Sequence, residues 1–471
     1  MSQSPASAAH GAPAAPAPAA GGVEFTSGSI PRHLVRFAIP MLVGNALQTA
    51  YNIVNSIWVG NGLGTGALAA VTVSFPIFFL LMAISGGISQ ASSILAAQAY
   101  GARDHATVRR TLQNATLLNL AVAAGCLVAG HLGADWLLRR MQTPAEVFTL
   151  AHGYLQVFLW TTPFMFGLFQ LASGLRAVGD SKTPLRFQGW ALLATAALDP
   201  VLMFGWFGAP RLGLNGAAWA TILTQGVALA ALARHLLRSR SLVAPDLRGF
   251  RFDPAVCWLI LKIGVPTMVQ QGLVSVGMVV MISLVNGFGT IPAAAFGAAM
   301  RIDQFALLPA MTFSMAVSTL SGQNIGAGRF DRVPPVFWWG LVLSCSLTSV
   351  ATGLAVLAPT WVLRLFTQDM AVLDAGIAYL RIVGPGYLLF TVMFIGTGVV
   401  NGAGHTVVTT GISLIGLWLV RLPLAAWLSA RLGRVEGVWY GMLAGFAVGM
   451  VLSLLYYFSG RWRRPVLAQK P

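Results

Sequence analysis

The chain has 471 residues, 56% of them hydrophobic and 9% charged, where a soluble globular domain carries roughly a quarter charged residues. Such a composition excludes a single water-soluble core and makes lipid the expected solvent. The formal charge of +16, from 29 Lys and Arg against 13 Asp and Glu, would suggest nucleic acid in a soluble protein. Here the basic residues sit in short loops between apolar blocks, where membrane orientation accounts for them and no nucleic-acid partner is expected.

In chain order, residues 1–29 are rich in Ala, Pro and Ser, with no Lys or Arg and no apolar core. They read as a disordered cytoplasmic tail and not as a secretory signal. About twelve apolar blocks follow, each near the ~20 residues that cross a bilayer, beginning near residues 34, 68, 112, 150, 185, 215, 257, 293, 335, 376, 407 and 437. The expected division is a first lobe over 30–233, a basic cytoplasmic linker over 234–256, a second lobe over 257–460 and a basic tail over 461–471. The run Gly60, Gly62, Gly64 and Gly66 joins two spans and reads as a tight turn; a phosphate loop would join a strand to a helix.

Charge orients the spans. With the N-terminus inside, nineteen basic residues fall on inner segments, among them Arg103, Arg109, Arg110, Arg234, Arg238, Arg329, Arg332 and Arg461. Six fall outside: Arg139, Arg140, Arg211, Arg364, Arg431 and Arg434. This asymmetry follows the positive-inside rule and predicts a multi-pass inner-membrane protein with both termini cytoplasmic. Lys262, Arg301, Arg381 and Arg421 fall at or within spans, where a charge needs a partner or water.

The second half repeats the first. "FAIPMLVGN" (37–45) corresponds to "IGVPTMVQQ" (263–271), and "GLGTGALAA" (62–70) to "GFGTIPAAA" (287–295). Gln98 pairs with Gln323, Gly101 with Gly326 and Gly179 with Gly404, all at one and the same spacing. With six spans per half the copies have the same orientation, so their axis runs along the membrane normal and a cleft lies between them. The expected fold is an all-α membrane protein of about twelve helices in two pseudo-symmetric six-helix lobes.

On these motifs the chain resembles the multidrug and toxic compound extrusion (MATE) transporters over about residues 30–460. The resemblance is carried by "WVGNGLGTGALAAV", "LRAVGDSKTP" and "LDPVLMFG" in the first half, and by "GVPTMVQQ", "SGQNIGAG", "GLWLVRLPLAAWL" and "EGVWYGML" in the second. It implies alternating access and export of small amphipathic, often cationic, organic compounds driven by entry of H⁺ or Na⁺. A flippase of lipid-linked saccharides is the related alternative. An intramembrane enzyme is less favoured, because no His, Ser and acid grouping is evident.

Of the thirteen acidic residues only Asp199 and Asp303 fall well inside apolar spans. A carboxylate there can carry a proton, coordinate Na⁺ or meet a cationic substrate. Asp199 precedes Pro200, which opens the local helical ladder, and the matching aspartate of MATE proteins belongs to their N-lobe ion site. Asn55 stands where members with a well-defined N-lobe cation site usually carry a second aspartate, and an amide supplies neither charge nor a titrating group. Coupling therefore rests on Asp199 with polar neighbours such as Gln48, Asn52, Asn55 and Thr195, or on Asp303. Arg301 points to another side of its helix, so Asp303 is either paired with an arginine of a neighbouring span, Arg381 or Arg421, and structural, or faces the cleft and can titrate. Asn45, Gln48, Asn52, Thr195, Gln270, Gln271 and Gln304 are the candidate cleft-lining residues, against the commoner role of helix glue.

Cys126, Cys257 and Cys345 show no CxxC spacing, the seven histidines show no HExxH or HxH, and no P-loop is present. The expected ligands are thus a small organic substrate and a coupling H⁺ or Na⁺, with no metal, no cofactor and no obligate protein partner.

Overall fold

The computed structural model describes residues 22–141, 143–245 and 250–464, and among these every regular element is helical. Six long helices form the first lobe: α1 (Ile30–Leu63), α2 (Thr65–Gly101), α3 (His105–Arg140), α4 (Ala145–Ala177), α5 (Lys182–Phe204) and α6 (Leu214–Arg238). The second lobe has α7 (Pro254–Asn286), α8 (Thr290–Gly326), α9 (Phe330–Leu357), α10 (Met370–Val383 and Gly386–Gly402), α11 (Thr406–Leu432) and α12 (Glu436–Phe458). The two parts of α10 meet at an angle of 44°, at Gly384 and Pro385, where a proline removes a backbone donor.

Acidic residues at the helix starts have local work. Asp104, Asp180, Asp253 and Asp369 each accept backbone N–H bonds at the first turn of α3, α5, α7 and α10, satisfying donors that a helix start leaves free.

Ten of these helices are long and apolar enough to cross a membrane, eleven with the bent α10. The remaining one is α1. Its basic-end half is apolar, but from Asn45 onward Gln48, Asn52 and Ser56 are exposed at intervals of three and four residues, which places them on one face. Polar groups on such a face cannot border acyl chains without cost. Their polarity accounts for the absence of α1 from the helices apolar enough to cross a membrane.

Three boundaries differ from the sequence expectation. Residues 22–26, assigned to the disordered tail, are packed, with Phe25 only 2% exposed; the apolar anchor is a single ring, too little for a periodicity to register. Residues 1–21 of that tail lie outside the described residues. The linker starts later, because α6 continues through Arg234 to Arg238. At the other end, Arg461–Arg463 form a turn that buries Trp462, whose indole N–H donates to the Tyr457 carbonyl at 2.8 Å.

Among the described residues the lobes share buried apolar clusters toward one end. Two apolar clusters mix residues of both: one joins Leu34 and Phe37 of α1 to Leu320, Val336 and Val399, and the other joins Ile88 and Leu95 of α2 to Ile260 and Ile263. Both lie toward the end that carries the termini and the basic loops. The clusters at the opposite end each belong to a single lobe. The cleft therefore opens away from the basic end. Its floor is marked by the Asn45 amide donating to the Thr312 hydroxyl at 2.9 Å, about 22 Å along α1 from its start at 1.5 Å per residue.

At the closed end the repeat becomes a physical two-fold. The Gln98 amide donates to the Gly402 carbonyl at 2.8 Å, and the Gln323 amide to the Ala177 carbonyl at 2.9 Å. Donors and acceptors alike are related by the spacing of the internal repeat. Gly101 lies against the Gln323 backbone and Gly326 against that of Gln98, so closely that a Cβ on either would fall 1.8 or 1.9 Å from a carbonyl oxygen.

Candidate functional site

Each lobe holds one carboxylate in its interior. In the N-lobe, Asp199 of α5 is 0% exposed. Its Oδ2 accepts from the Asn55 amide at 3.0 Å and from the Tyr51 hydroxyl at 3.4 Å, both on α1. Its Oδ1 is buried with no partner among the described residues. A buried acceptor left unsatisfied costs about 1–3 kcal/mol, and more when charged, so this oxygen is the least satisfied atom of the group. Pro200, next in sequence, lies inside α5 and frees a carbonyl one turn back.

Of the residues expected around Asp199, only Asn55 bonds to it. Gln48 and Asn52 bond to each other at 3.3 Å on the exposed face of α1. Thr195 is buried, its hydroxyl 2.7 Å from that of Thr224 on α6. Tyr51 is a partner that the sequence reading misses, although it stands four residues before Asn55 and so shares its helix face. Tyr154 is missed as well; it packs in the same apolar cluster as Val59 and Met203 and lies within electrostatic reach of Asp199.

In the C-lobe, Asp303 of α8 is held by two tyrosines of α10. Tyr379 donates to Oδ2 at 2.6 Å and Tyr387 to Oδ1 at 2.5 Å. The expectation of an arginine partner is corrected: Asp303 makes no ion pair among the described residues. Arg381 is exposed. Arg421 acts on Asp303 through space while stacking over Phe446 at 5.4 Å. Two hydroxyl donors satisfy the carboxylate, while the Arg421 Nε is buried with no hydrogen-bond partner among the described residues. Arg421 ends a seven-residue π-helical stretch, Ile415–Arg421, a form of bulge frequent at functional sites. Arg301 lies over Phe366 instead.

The two chambers share a plan but differ in content. Tyr154 and Tyr379 occupy equivalent positions of the repeat, as do Phe78 and Asp303. Where the C-lobe bonds a carboxylate to its tyrosine, the N-lobe sets the Phe78 ring edge-on to Tyr154 at 5.9 Å. Its acid arrives from α5 instead.

The Tyr387→Phe replacement deletes one of the two donors to Asp303 and should lower stability by about 1–3 kcal/mol. Thermal unfolding in detergent checks this, and an unchanged midpoint would mean that Oδ1 is otherwise satisfied.

The other candidates are spread over several helices. Asn45 bridges the lobes at Thr312, and Gln270 donates to the Ser413 hydroxyl at 2.5 Å, linking α7 to α11. Gln271 and Gln304 are exposed. Among the described residues no group of three or more His, Cys, Asp or Glu is placed to hold a metal ion.

A sequence profile of the MatE family matches residues 40–201 and again 266–427, once in each half. The chain belongs to the MatE family. The starts of the two matched stretches are separated by almost the spacing that relates Gln98 to Gln323, in agreement with the internal register of this MatE protein. Relatives include the "Probable multidrug resistance protein YpnP" of Bacillus subtilis, 32% identical over 93% of this chain and 97% of that one. A second is the "Probable multidrug resistance protein NorM" of Thermotoga maritima, 26% identical over 94% of this chain and 95% of that one. The "FAD transporter" of Shewanella oneidensis is also 26% identical, over 94% and 97%. Among solved structures, one described as an outward-facing conformation of a multidrug resistance MATE family transporter matches with a TM-score of 0.87 at 24% identity, over 93% of this chain and 97% of that one. That likeness establishes the twelve-helix, two-lobe fold.

Proposed function

We propose that this MatE protein is a proton-coupled antiporter that exports small amphipathic organic compounds, cationic ones foremost, across the cytoplasmic membrane. The observation that carries the reading is Asp199: a fully buried carboxylate beside the cleft, one oxygen bonded to α1 and the other vacant. A proton suits this seat better than Na⁺. Both groups within hydrogen-bonding distance donate toward the carboxylate, and with Asn55 in place of a second acid a sodium ion finds one negative group where it needs several oxygens.

Protonation removes the charge that orders Asn55 and Tyr51 around α5, so the packing of α1 on α5 differs between the two protonation states. Because α1 also forms part of the closed end, a change at Asp199 biases which end is open. The N-lobe helices carry no Lys or Arg in their middle stretches, and that wall, with its neutral amides, favours cationic guests. The multidrug names of several relatives point the same way. The excess of basic residues at the closed end supports a cytoplasmic location for it.

The test is export of a fluorescent amphipathic cation from proteoliposomes under imposed gradients. A pH gradient should drive it and a Na⁺ gradient alone should not; the reverse result would reassign the ion, and indifference to both would remove the antiport reading.

A further inference from the structure

The two-fold at the closed end is broken in one place. Gln98 and Gln323 make equivalent amide bonds across the lobes, but their carbonyl oxygens differ. Among the described residues the Gln98 oxygen is buried without a partner, whereas the Gln323 oxygen accepts the backbone N–H of Phe25 at 3.0 Å. Phe25 belongs to the short segment ahead of α1, and that segment touches both lobes. On the N-lobe side the Val23 N–H donates to the Val178 carbonyl at 3.0 Å, and Glu24 pairs with Arg103 at 3.0 Å. On the C-lobe side the Asn324 amide donates to the Phe25 carbonyl at 3.4 Å, and Arg332 to the Gly28 carbonyl at 2.9 Å. The Phe25 ring is buried edge-on against Phe37 at 5.4 Å, in the cluster that includes Leu320, Val336 and Val399 of the other lobe.

We propose that residues 22–28 form a strap across the closed end, with Phe25 as a positioning residue that holds the Gln323 amide on Ala177, so that the strap must lift before this end can open. Connectivity requires it. If the lobes separate here, the segment cannot keep Val178 and Arg103 on one side and Gln323, Asn324 and Arg332 on the other. It must release one set, and releasing the C-lobe set leaves the Gln323 oxygen as bare as that of Gln98. The backbone at Gly179 is shaped for this traverse: its φ is +88°, and a Cβ there would lie 2.4 Å from the Val23 carbonyl oxygen. The Thr26 hydroxyl, followed by Arg103, holds the Glu24 carboxyl below its ordinary value of 4.5. The strap therefore keeps a charged anchor at neutral pH, one that weakens only as acid titrates the lowered group. It goes beyond the proposed function and depends on neither the ion nor the substrate.

The experiment measures lobe separation directly. Cys126, Cys257 and Cys345 are replaced, and spin labels are attached at Ala106 on the N-lobe and Pro335 on the C-lobe, exposed positions near the starts of α3 and α9 at the closed end. Distance distributions are then compared for the parent, for Phe25→Ala, for a chain lacking residues 2–26, and for one lacking residues 2–21. The parent and the 2–21 deletion should give the same short distance. Phe25→Ala and the 2–26 deletion should add a longer one, with the open-to-closed ratio rising about tenfold, the scale of one lost buried interaction. If Phe25→Ala lowers only the melting temperature while the distances stay those of the parent, the segment is a structural plug and the proposal fails. It fails equally if the 2–21 deletion reproduces the full shift. Phe25→Ala carries the test should the longer deletion not fold.

Discussion

Asp199→Asn should yield a folded protein whose proton-driven export falls to the level of liposomes without protein. The amide keeps the shape and can still meet Asn55 and Tyr51, so expression and gel-filtration behaviour should match the parent. What it loses is the ability to exist in two charge states, and a ligand that does not distinguish two conformations cannot shift them. Exchange of substrate for substrate, with no gradient imposed, should survive, because it needs the cleft but not the proton. Full gradient-driven export by the variant would exclude Asp199 from coupling and leave Asp303 as the remaining membrane carboxylate. Loss of exchange as well would mean that Asp199 shapes the cleft itself.

The second large effect is expected at a glycine. In Gly101→Ala the new Cβ would sit 1.8 Å from the Gln323 carbonyl oxygen and 2.6 Å from its carbon, and backbone cannot swing aside as a side chain can. Overpacking of this kind costs about 1–3 kcal/mol or more, so the closed end should open by on the order of 100-fold and transport should stop. Gly326→Ala meets Gln98 in the same way, at 1.9 Å. The double variant should cost little more than either single one, because separation of the lobes relieves both contacts together. Thiol accessibility at this end measures the opening. Wild-type transport by Gly101→Ala would show that the approach is not part of the cycle.

The architecture was largely legible because its signals are long and redundant. Twelve apolar blocks, a repeat at a near-constant spacing and a bias of basic residues reinforce one another, and each survives local exceptions. The interior position of Asp199 was legible for a simpler reason, since it is one of two carboxylates that fall well inside apolar runs. The partners of Asp303 were not, because Tyr379 and Tyr387 approach from a different helix and tyrosines in spans are common. Arginine was one of two readings because Arg381 and Arg421 fall at or within spans, whereas the structure supplies hydroxyl donors to the carboxylate. The strap escaped because a short segment with one aromatic ring, next to an Ala- and Pro-rich stretch, gives no period to read. Its only written sign was Gly179, whose counterpart Gly404 has a comparable φ of +89° and lends no special emphasis to either.

The positions of the two carboxylates along their helices carry a mechanical meaning. Asp303 and Gln323 lie twenty residues apart on the single rod of α8, about 30 Å at 1.5 Å per residue. The partners of Asp199 lie on α1, the rod whose first turn follows directly from the segment that holds Phe25. Each chamber is thus joined to the far doorway by one continuous helix, interrupted only by Pro309 in α8 and Pro40 in α1. A tilt of a few degrees at either proline would be magnified along the remaining length into a displacement large enough to break bonds at the other end.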